Sequence, residues 1–438
     1  MRGAVGRGGV VALRHPSDAN TNADGADRTR RTEILQTAAS LIASSGLRTS
    51  LQEIADAAGI LPGSLYHHFE SKEAILVELI RRYYADLDRV GKIALERLDE
   101  PDARPVSDKI VQLGSDIADC AVKHRADLQM SFYDAPSSNP ELVGLLQKPP
   151  TAVGQAMLQT LRAARWSGFI RGDIDLPTLA DRMCQSTMHV GLDVIRHNAP
   201  PEQVATVMCR IMLSGLAARP PSDAELDRSN AFLAAEEAIK TWSEDRTADA
   251  DDKAAHIRAV ARAEFGRRGY EVTTIRDIAS AAGVGTGTVY RVISSKDELL
   301  ASIMESFGRK AGGGFASVLR SNATAVEKLD ALSWVNINAL DHFPDEWKIQ
   351  LAWMRQSPPD SPTPGLAFTK RMRQLKSLLS EGLRSEHIRI DHPSVDMLSR
   401  CVMDVLWMPE NIVRAQGTRE ALIHSRDTVL RGVAQRRG

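Results

Sequence analysis

At 438 residues the chain is too long for one hydrophobic core, so two or more domains are expected. Its apolar fraction of 43% and charged fraction of 25% are those of an ordinary soluble globular protein. The net charge of −1 gives no basic excess that would announce a nucleic-acid partner, so such a partner has to be argued from local chemistry.

The sequence carries no clear targeting or metal-binding signal. Residues 1–27 are rich in Gly, Ala, Arg and Asp and are expected to be a disordered tail. Their only apolar run, Val10 to Leu13, is too short for a signal-peptide core. No run approaches the roughly 18 apolar residues that a membrane span requires. The four cysteines match no zinc spacing, so we predict a reduced, cytoplasmic chain without metal or cofactor.

The first predicted element is an amphipathic helix. Ile34, Leu35, Ala38, Leu41 and Ile42 fall on one helical face. Sustained period-2 alternation, the signal of β-strands, is not found along the sequence. We therefore predict an all-α protein.

Capping signals place three short helices after the first. Ser50 to Glu53 fits a capping box, and the helix from Leu51 is expected to end at Gly59 in a left-handed conformation. The next helix begins near Pro62. Ser71 is expected to cap the helix that follows, and Ser295 caps a similar helix later in the chain. The run Ser295 to Glu298 is itself predicted to be a capping box.

This arrangement occurs twice in the chain. Residues 54–76 and 278–300 are identical at ten of 23 positions at a constant offset of 224. The similarity returns far downstream, where 170–173 (Ile-Arg-x-Asp) pairs with 388–391, and 213–217 (Leu-x-Gly-x-Ala) with 430–434. The repeated unit is a whole module, so we interpret the chain as a duplicated domain.

Two short helices joined by a tight glycine turn predict a helix-turn-helix, whose second helix enters the major groove of DNA. Residues 31–76 and 254–300 resemble the DNA-binding domain of the TetR family. Both carry Ile-Ala-x-x-Ala-Gly, then Gly-[Ser/Thr]-[Leu/Val]-Tyr, then Ser-Lys. The resemblance implies a DNA-binding transcriptional regulator with a double-stranded operator as its partner.

The recognition roles follow from side-chain chemistry. Gly63 and Ser64 are small enough for a close approach to the groove, Tyr66 and Lys72 suit phosphate contacts, and His67 suits a base edge. In the second copy Arg291 suits a bidentate contact to guanine. Because the two recognition helices carry different reading residues, an asymmetric operator is predicted. The predicted DNA-binding set is Ser50, Gly63, Ser64, Tyr66, His67 and Lys72, with Thr274, Gly287, Thr288, Tyr290, Arg291 and Lys296.

Several of these residues have structural alternatives. His68 and Phe69 are expected to pack beneath the recognition helix, as their apolar counterparts Val292 and Ile293 suggest. The two tyrosines could instead be half-buried in the core. Arg28, Arg30 and Arg31 form either a DNA-contacting arm or a solvated tail.

The rest of each module has no catalytic grouping, and the resemblance implies an effector pocket followed by two helices of a four-helix dimer interface. Those last helices are expected over 176–197 with 202–218, and over 393–415 with 418–435. The pocket candidates are Met130, Phe132, Tyr133, Met157, Met183, Met188 and His189, then Trp353, Met354, Met372, Met403 and Trp407. Ordinary core packing is the alternative for each of them.

We therefore divide the chain into six segments. These are a disordered tail (1–27), a first helix-turn-helix domain (28–80), a first helical regulatory domain (81–218), a linker with a helix over Ala224–Trp242 (219–252), a second helix-turn-helix domain (253–303) and a second regulatory domain (304–436). The function expected is a repressor released by a small apolar effector. Either one chain acts as a pseudo-dimer with two DNA-binding domains, or two chains form a homodimer with four.

Two other classes of function have some support in the sequence. An enzyme is disfavoured, because the glycine-rich run 283–287 fails the dinucleotide fingerprint: Tyr290 stands where a third glycine is needed. A ligand-binding or scaffolding protein that has lost DNA binding would need damaged recognition helices, and only Val292 and Ile293 suggest that.

Overall fold

The computed structural model describes residues 17–100, 104–130, 139–146, 151–190, 194, 199–244, 253–356 and 368–436. Over these ranges the chain is helical, and its only β-structure is two isolated bridges, so the all-α prediction is confirmed. None of the helices within these ranges is long and apolar enough to cross a bilayer.

Residues 17–218 form module 1, and residues 219–436 form module 2. The helices of module 1 are α1 Ser17–Ser45, α2 Leu51–Ala57, α3 Pro62–His68, α4 Lys72–Asp99, α5 Val106–Lys123, α6 Arg125–Met130, α7 Pro140–Leu146, α8 Thr151–Trp166, α9 Leu176–Met188 and α10 Pro201–Ser214. Those of module 2 are α11 Asp223–Asp227, α12 Asn230–Glu244, α13 Lys253–Arg268, α14 Ile275–Ala281, α15 Thr286–Val292, α16 Lys296–Arg320, α17 Ala325–His342, α18 Pro344–Gln356, α19 Phe368–Arg384, α20 Val395–Val405, α21 Glu410–Gln416 and α22 Thr418–Ser425. A 3₁₀ turn, Gly46–Arg48, precedes α2, and a π-helical turn, Arg426–Arg431, follows α22.

Two predicted boundaries are wrong. The first helix begins at Ser17, inside the segment expected to be a disordered tail, while residues 1–16 lie outside the described ranges. The single helix expected over 393–415 is divided into α20 and α21. Pro409 stands at the N-cap of α21, where its lack of an amide hydrogen does no harm, whereas it would break a continuous helix.

Residues 219–244, the described part of the segment between the copies, pack into the core of module 2. Instead of one helix, α11 and α12 are present, separated at Ser229, whose hydroxyl accepts a hydrogen bond from the amide of Phe232 at 3.1 Å. The second of them packs along α16 and α17. Trp242 is 1% exposed, and its ring centroid lies 5.3 Å from that of Phe343. The acidic run 247–252 lies outside the described residues.

The hydrophobic core extends across the boundary between the modules. One cluster fills the first helix-turn-helix, and a second fills the helical body of module 1. The largest runs through module 2 and continues into α10, where it includes Val204, Met208 and Ile211 together with Leu398 and Val402 of α20. The two modules therefore share one core along α10 and α20.

The C-terminal ends of the two modules are exchanged. Ala217, at the end of module 1, forms an antiparallel bridge with Ile388 of module 2, and Ala434, at the end of module 2, forms one with Ile170 of module 1. Backbone hydrogen bonds of 2.7–3.2 Å accompany both bridges. Because these are the segments that recur in the sequence, the exchange has approximate two-fold symmetry.

Gly215 and Gly432 lie where the exchanged ends cross. Their φ angles are 74° and 75°, a left-handed conformation that side-chain-bearing residues rarely adopt. A Cβ added to either glycine would lie 2.5 Å from the amide nitrogen of the other. The crossing therefore requires glycine in both copies, which accounts for this part of the repeat.

One helix of module 2 contacts both helix-turn-helix regions. The α18 helix packs against α13 and also contacts α1 and α6 of module 1. Its Ala352 is buried in the core of the first helix-turn-helix. Its Glu346 pairs with Arg262 of α13 at 3.3 Å, and burial raises the pKa of this carboxyl. This helix thus connects the two DNA-binding regions directly.

A buried arginine connects α11 to the body of module 2. The Arg426 side chain is fully buried and makes a bidentate ion pair with Asp330, itself 1% exposed, with both N–O distances 2.9 Å. It also reaches Asp227 at 2.7 Å and Asp223 at 3.1 Å. The connecting segment is therefore held by charge as well as by apolar packing.

Candidate nucleic-acid interface

Each module carries a pair of short helices joined by a glycine turn. In module 1 the chain passes from α2 through Gly59, with φ 64°, into α3, whose first residue is Pro62. In module 2 it passes from α14 through Gly283, with φ 65°, into α15. We call α1–α3 head 1 and α13–α15 head 2. The turn geometry predicted from the glycines and from the proline is confirmed.

Reciprocal caps fix the start of the first helix in each pair. Ser50 accepts a hydrogen bond from the Glu53 amide at 3.2 Å, and the Glu53 carboxylate accepts one from the Ser50 amide at 2.6 Å. Thr274 and Asp277 repeat this arrangement. Hydrogen bonds from the Ser50 amide and hydroxyl lower the pKa of Glu53. These caps position the heads whether or not Ser50 and Thr274 touch DNA.

The caps of the following helices match the prediction in part. Ser71 and Ser295 accept hydrogen bonds from the amides of Ala74 and Glu298, as expected. The Glu298 carboxylate, however, accepts from the Ser294 amide at 3.1 Å and not from Ser295, so the second capping box is wrong by one residue.

The recognition helices α3 and α15 present their outer faces to solvent. Tyr66 is 55% exposed and Tyr290 56%, so neither belongs to the core. Gly63 and Gly287 are exposed, and a Cβ on either would meet nothing within 4 Å. On the opposite face, Leu65 and Val289 are fully buried. Each helix is thus held from beneath and open above, as a DNA-reading helix must be.

The candidate base-contacting residues lie on this open face. His67 and Ser64 are exposed in head 1, and Arg291 is exposed in head 2. The Arg291 guanidinium donates to the half-buried Thr288 hydroxyl at 3.0 Å. This contact directs the guanidinium toward the N-terminal end of α15, the end that enters the groove in this motif.

The two predicted phosphate-contacting lysines are bound to backbone carbonyls. The Lys72 ammonium donates to the carbonyl oxygen of Leu47, and that of Lys296 donates to the carbonyls of Tyr270 at 2.7 Å and Thr273 at 2.9 Å. Burial lowers the pKa of Lys72. Both ammonium groups bind the loop before the helix-turn-helix and so position the heads, and the phosphate contacts stay a prediction.

Arg30 and Arg31 form neither the DNA-contacting arm nor the solvated tail that the sequence left open. Arg30 and Arg31 lie within α1, and Arg30 donates to the carbonyl of Ala58 at 3.1 Å. Arg31 donates to the carbonyl of His68, and its guanidinium carbon lies 4.1 Å from the centroid of the Phe69 ring. Both arginines hold the turn and the end of α3. The side chain of Arg28 is outside the described part.

The residues expected beneath the recognition helices are mostly there. Phe69 is 2% exposed and Ile293 8%, whereas His68 and Val292 are half-buried. The departure from His-Phe in the second copy therefore leaves the underside of α15 apolar and filled.

Residues 34–79 and 257–303 each match the family model for bacterial regulatory proteins of the tetR family. Over 191 residues the chain is 35% identical to the HTH-type transcriptional repressor KstR2 of Rhodococcus jostii, an alignment that covers 43% of this chain and 91% of that protein. The chain belongs to the TetR family.

Other TetR-type relatives align in the same proportion. The chain is 27% identical over 188 residues to the HTH-type transcriptional regulator UidR of Escherichia coli, covering 42% of this chain and 92% of UidR. The solved structure of the ketosteroid transcriptional regulator KstR2 of Mycobacterium tuberculosis is similar at 25% identity and a TM-score of 0.34, covering 40% of this chain and 89% of that one. The two curated relatives, KstR2 of Rhodococcus jostii and UidR, are a transcriptional repressor and a transcriptional regulator, so this TetR protein is a DNA-binding transcriptional regulator and not an enzyme.

The candidate TetR effector pocket is less well defined than the heads. In module 1, Met157 and Met183 are fully buried in the helical body, with Met188 partly buried beside them. Met130 instead belongs to the core of head 1. Phe132 and Tyr133 lie outside the described residues, and the four candidate methionines of module 1 divide between two clusters.

The module 2 candidates are also dispersed. Met403 packs against the shared core, and Met372 is half-buried on α19. The side chains of Trp353 and Met354 are outside the described part of α18. His189 and Trp407 meet across the two modules, with ring centroids 4.5 Å apart, so they belong to the contact between modules.

A groove of about 640 Å³ lies between α12 and α16. None of the predicted pocket residues lines it; Arg309, Lys310, Arg320 and Glu237 do. The sequence feature that places α12 beside α16 is its apolar face, formed by Ala231, Ala235, Ile239 and Trp242, which a solvated linker helix would not carry.

Proposed function

We propose that this TetR-family protein is a ligand-responsive repressor that binds one asymmetric operator as an intramolecular pseudo-dimer. The observation that carries the proposal is the reciprocal exchange of C-terminal ends between modules that each expose a recognition helix. The exchange relates the modules by an approximate two-fold, as the two subunits of a symmetric dimer are related. One chain thus holds two heads, which is the number that an operator with two half-sites requires.

Contacts between the modules favour this reading over a dimer with four heads. The Arg182 side chain of α9 is fully buried, and it donates to the carbonyl of Val405 at 2.7 Å and to the hydroxyl of Thr428, both in module 2. Burial lowers its pKa to about 9. The helices expected to form a dimer interface are therefore occupied within the chain.

The mass in solution tests this assignment. We expect multi-angle light scattering to give a mass near 47.9 kDa, the mass of one chain, because the dimerisation helices already have partners. The mass should not rise when the protein is concentrated, and one operator duplex should bind a single chain. A species of twice that mass would favour the homodimer with four heads.

Different reading residues should give the two half-sites different preferences. We expect Arg291→Ala to weaken binding to the preferred operator by about 10- to 100-fold, the worth of a bidentate contact to guanine, while non-specific binding stays unchanged. His67→Ala should relax preference in the other half-site. Tyr66→Phe should weaken binding by the same factor for every sequence, since phosphates carry no base information. That factor should be smaller than the loss caused by Arg291→Ala.

The measurement is a mobility shift against a library of operator variants. Arg309→Ala, which removes an exposed guanidinium from α16, is the matched control and should change nothing. Equal losses on every sequence for Arg291→Ala would contradict its assignment as a base-reading residue.

Release by a small apolar effector is the second part of the proposal. Met157, Met183 and Met188 give the body of module 1 adaptable apolar walls. An effector there would act on the heads through α6 and α18, which contact each other and head 1, if it favoured a head spacing that no longer fits the operator. Mass spectrometry of a co-purified ligand, followed by its addition to the protein–DNA complex, tests this part.

A further inference from the structure

The N-cap of the first recognition helix carries an exposed leucine. Leu61 has 79% of its surface exposed, more than any other large apolar residue described in head 1. Its carbonyl begins α3, because it accepts hydrogen bonds from the amides of Ser64 at 2.9 Å and Leu65 at 3.2 Å. An apolar side chain left in water at the tip of a DNA-reading helix gains nothing from the fold itself.

The equivalent position of head 2 shows that the fold does not need this side chain. Gly285 has φ −73° and ψ 149°, against −70° and 145° for Leu61. Its carbonyl accepts from the amides of Thr288 at 2.9 Å and Val289 at 3.3 Å, so the same backbone cap forms. The heads therefore differ at one point of their leading edge by a whole leucine side chain.

The major groove has one apolar group at the level of the base edges, the 5-methyl group of thymine. The N-terminal end of a recognition helix is the part that meets those edges. We propose that Leu61 reads a thymine methyl group in the half-site bound by head 1, and that head 2, with Gly285, leaves the matching position unread. This inference rests on the proposed function, since it assumes that both heads contact one operator.

Replacing thymine by uracil tests the inference, because it removes the methyl group and leaves charge and hydrogen-bonding edges unchanged. The probe is a duplex selected by the purified protein from random DNA, resynthesised with one deoxyuridine at a time. We expect one thymine, in one half-site only, whose replacement weakens binding roughly four-fold, the worth of one buried methyl group. The Leu61→Gly variant should bind the thymine duplex more weakly and lose this sensitivity.

The reverse exchange provides a gain-of-function arm. A Cβ added to Gly285 would meet nothing within 4 Å, and its φ is ordinary, so Gly285→Leu should fold. It should create uracil sensitivity in the second half-site. Leu233→Ala, which removes a leucine 55% exposed on α12, is the control and should bind like the wild type.

The outcomes distinguish a failure of the proposed function from a failure of the assignment of Leu61. If the protein selects no duplex at all, the proposed function fails. If it selects an operator but no uracil weakens binding, or Leu61→Gly keeps the wild-type sensitivity, Leu61 does not read a methyl group and only this inference is overturned.

Discussion

Replacing Gly215 by alanine is expected to lower the free energy of unfolding by about 2–6 kcal/mol. Its φ of 74° with a ψ of 165° is a conformation that essentially only glycine adopts, and it costs an alanine about 1–3 kcal/mol. The new Cβ would lie 2.5 Å from the amide nitrogen of Gly432, and forcing the crossing chains apart adds about 1–3 kcal/mol. Gly432→Ala should lose as much, because the crossing is reciprocal. Urea unfolding followed by circular dichroism measures both.

Gly417 supplies the matched control. Its φ of 85° and ψ of 165° lie in the same region as those of Gly215, but a Cβ there would meet nothing within 4 Å. Gly417→Ala should therefore lose only the conformational part, about 1–3 kcal/mol. Equal losses for Gly417→Ala and Gly215→Ala would mean that the exchanged ends do not approach each other closely, which would count against the pseudo-dimer.

Arg426→Met is expected to lose about 3–5 kcal/mol, the cost of leaving one partner of a buried ion pair alone. The stranded group is Asp330, which is 1% exposed. Burial already raises the pKa of Asp330, and without Arg426 it should rise further. A carboxyl whose folded pKa is raised destabilises the fold only above its unfolded pKa of about 3.9, so the loss should be smaller near pH 4 than near pH 7.

Two comparisons separate this effect from simple loss of charge. Adding Asp330→Leu to Arg426→Met removes the stranded carboxylate and should recover much of the stability. Arg219 pairs with Glu225 at 2.8 Å, but its side chain is 85% exposed, so Arg219→Met should lose at most about 1 kcal/mol. A double variant no more stable than Arg426→Met would show that packing, and not the lone charge, sets the cost.

Local signals predicted the heads well. Capping boxes, glycine turns and Pro62 depend on hydrogen bonds and backbone angles within a few residues, so they can be identified from short stretches of sequence. The same stretches placed Tyr66 and Tyr290 on the recognition helices, and the structure leaves both exposed.

Non-local partners are what the sequence does not show. The acceptor of Lys72 is a carbonyl 25 residues away, and nothing in the sequence marks it as such. Methionines mark apolar surroundings but not which cluster they join, so the sequence does not separate Met130, in the core of head 1, from Met157, in the body of module 1. The helix from Asn230 stands between the two copies, and its partners, α16 and α17, follow it in the chain, so its place in a core is not visible from its own residues.

The repeat of Gly215 and Gly432 can be identified in the sequence, but its structural role cannot. The recurrence of these segments indicated duplication, and only the crossing of the two chain ends explains why glycine stands in both. A repeated residue with no local role is therefore a signal of symmetry-related contact.

Carrying both heads on one polypeptide alters how occupancy of a promoter responds to gene dosage. Subunits made separately must first find each other, so active repressor falls with roughly the square of subunit number when few copies are present. In the arrangement proposed here the partners meet at an effective concentration set by the linking chain, not by the cell. Repression should then decline only in proportion to copy number, and daughter cells that inherit few molecules would keep the gene silent.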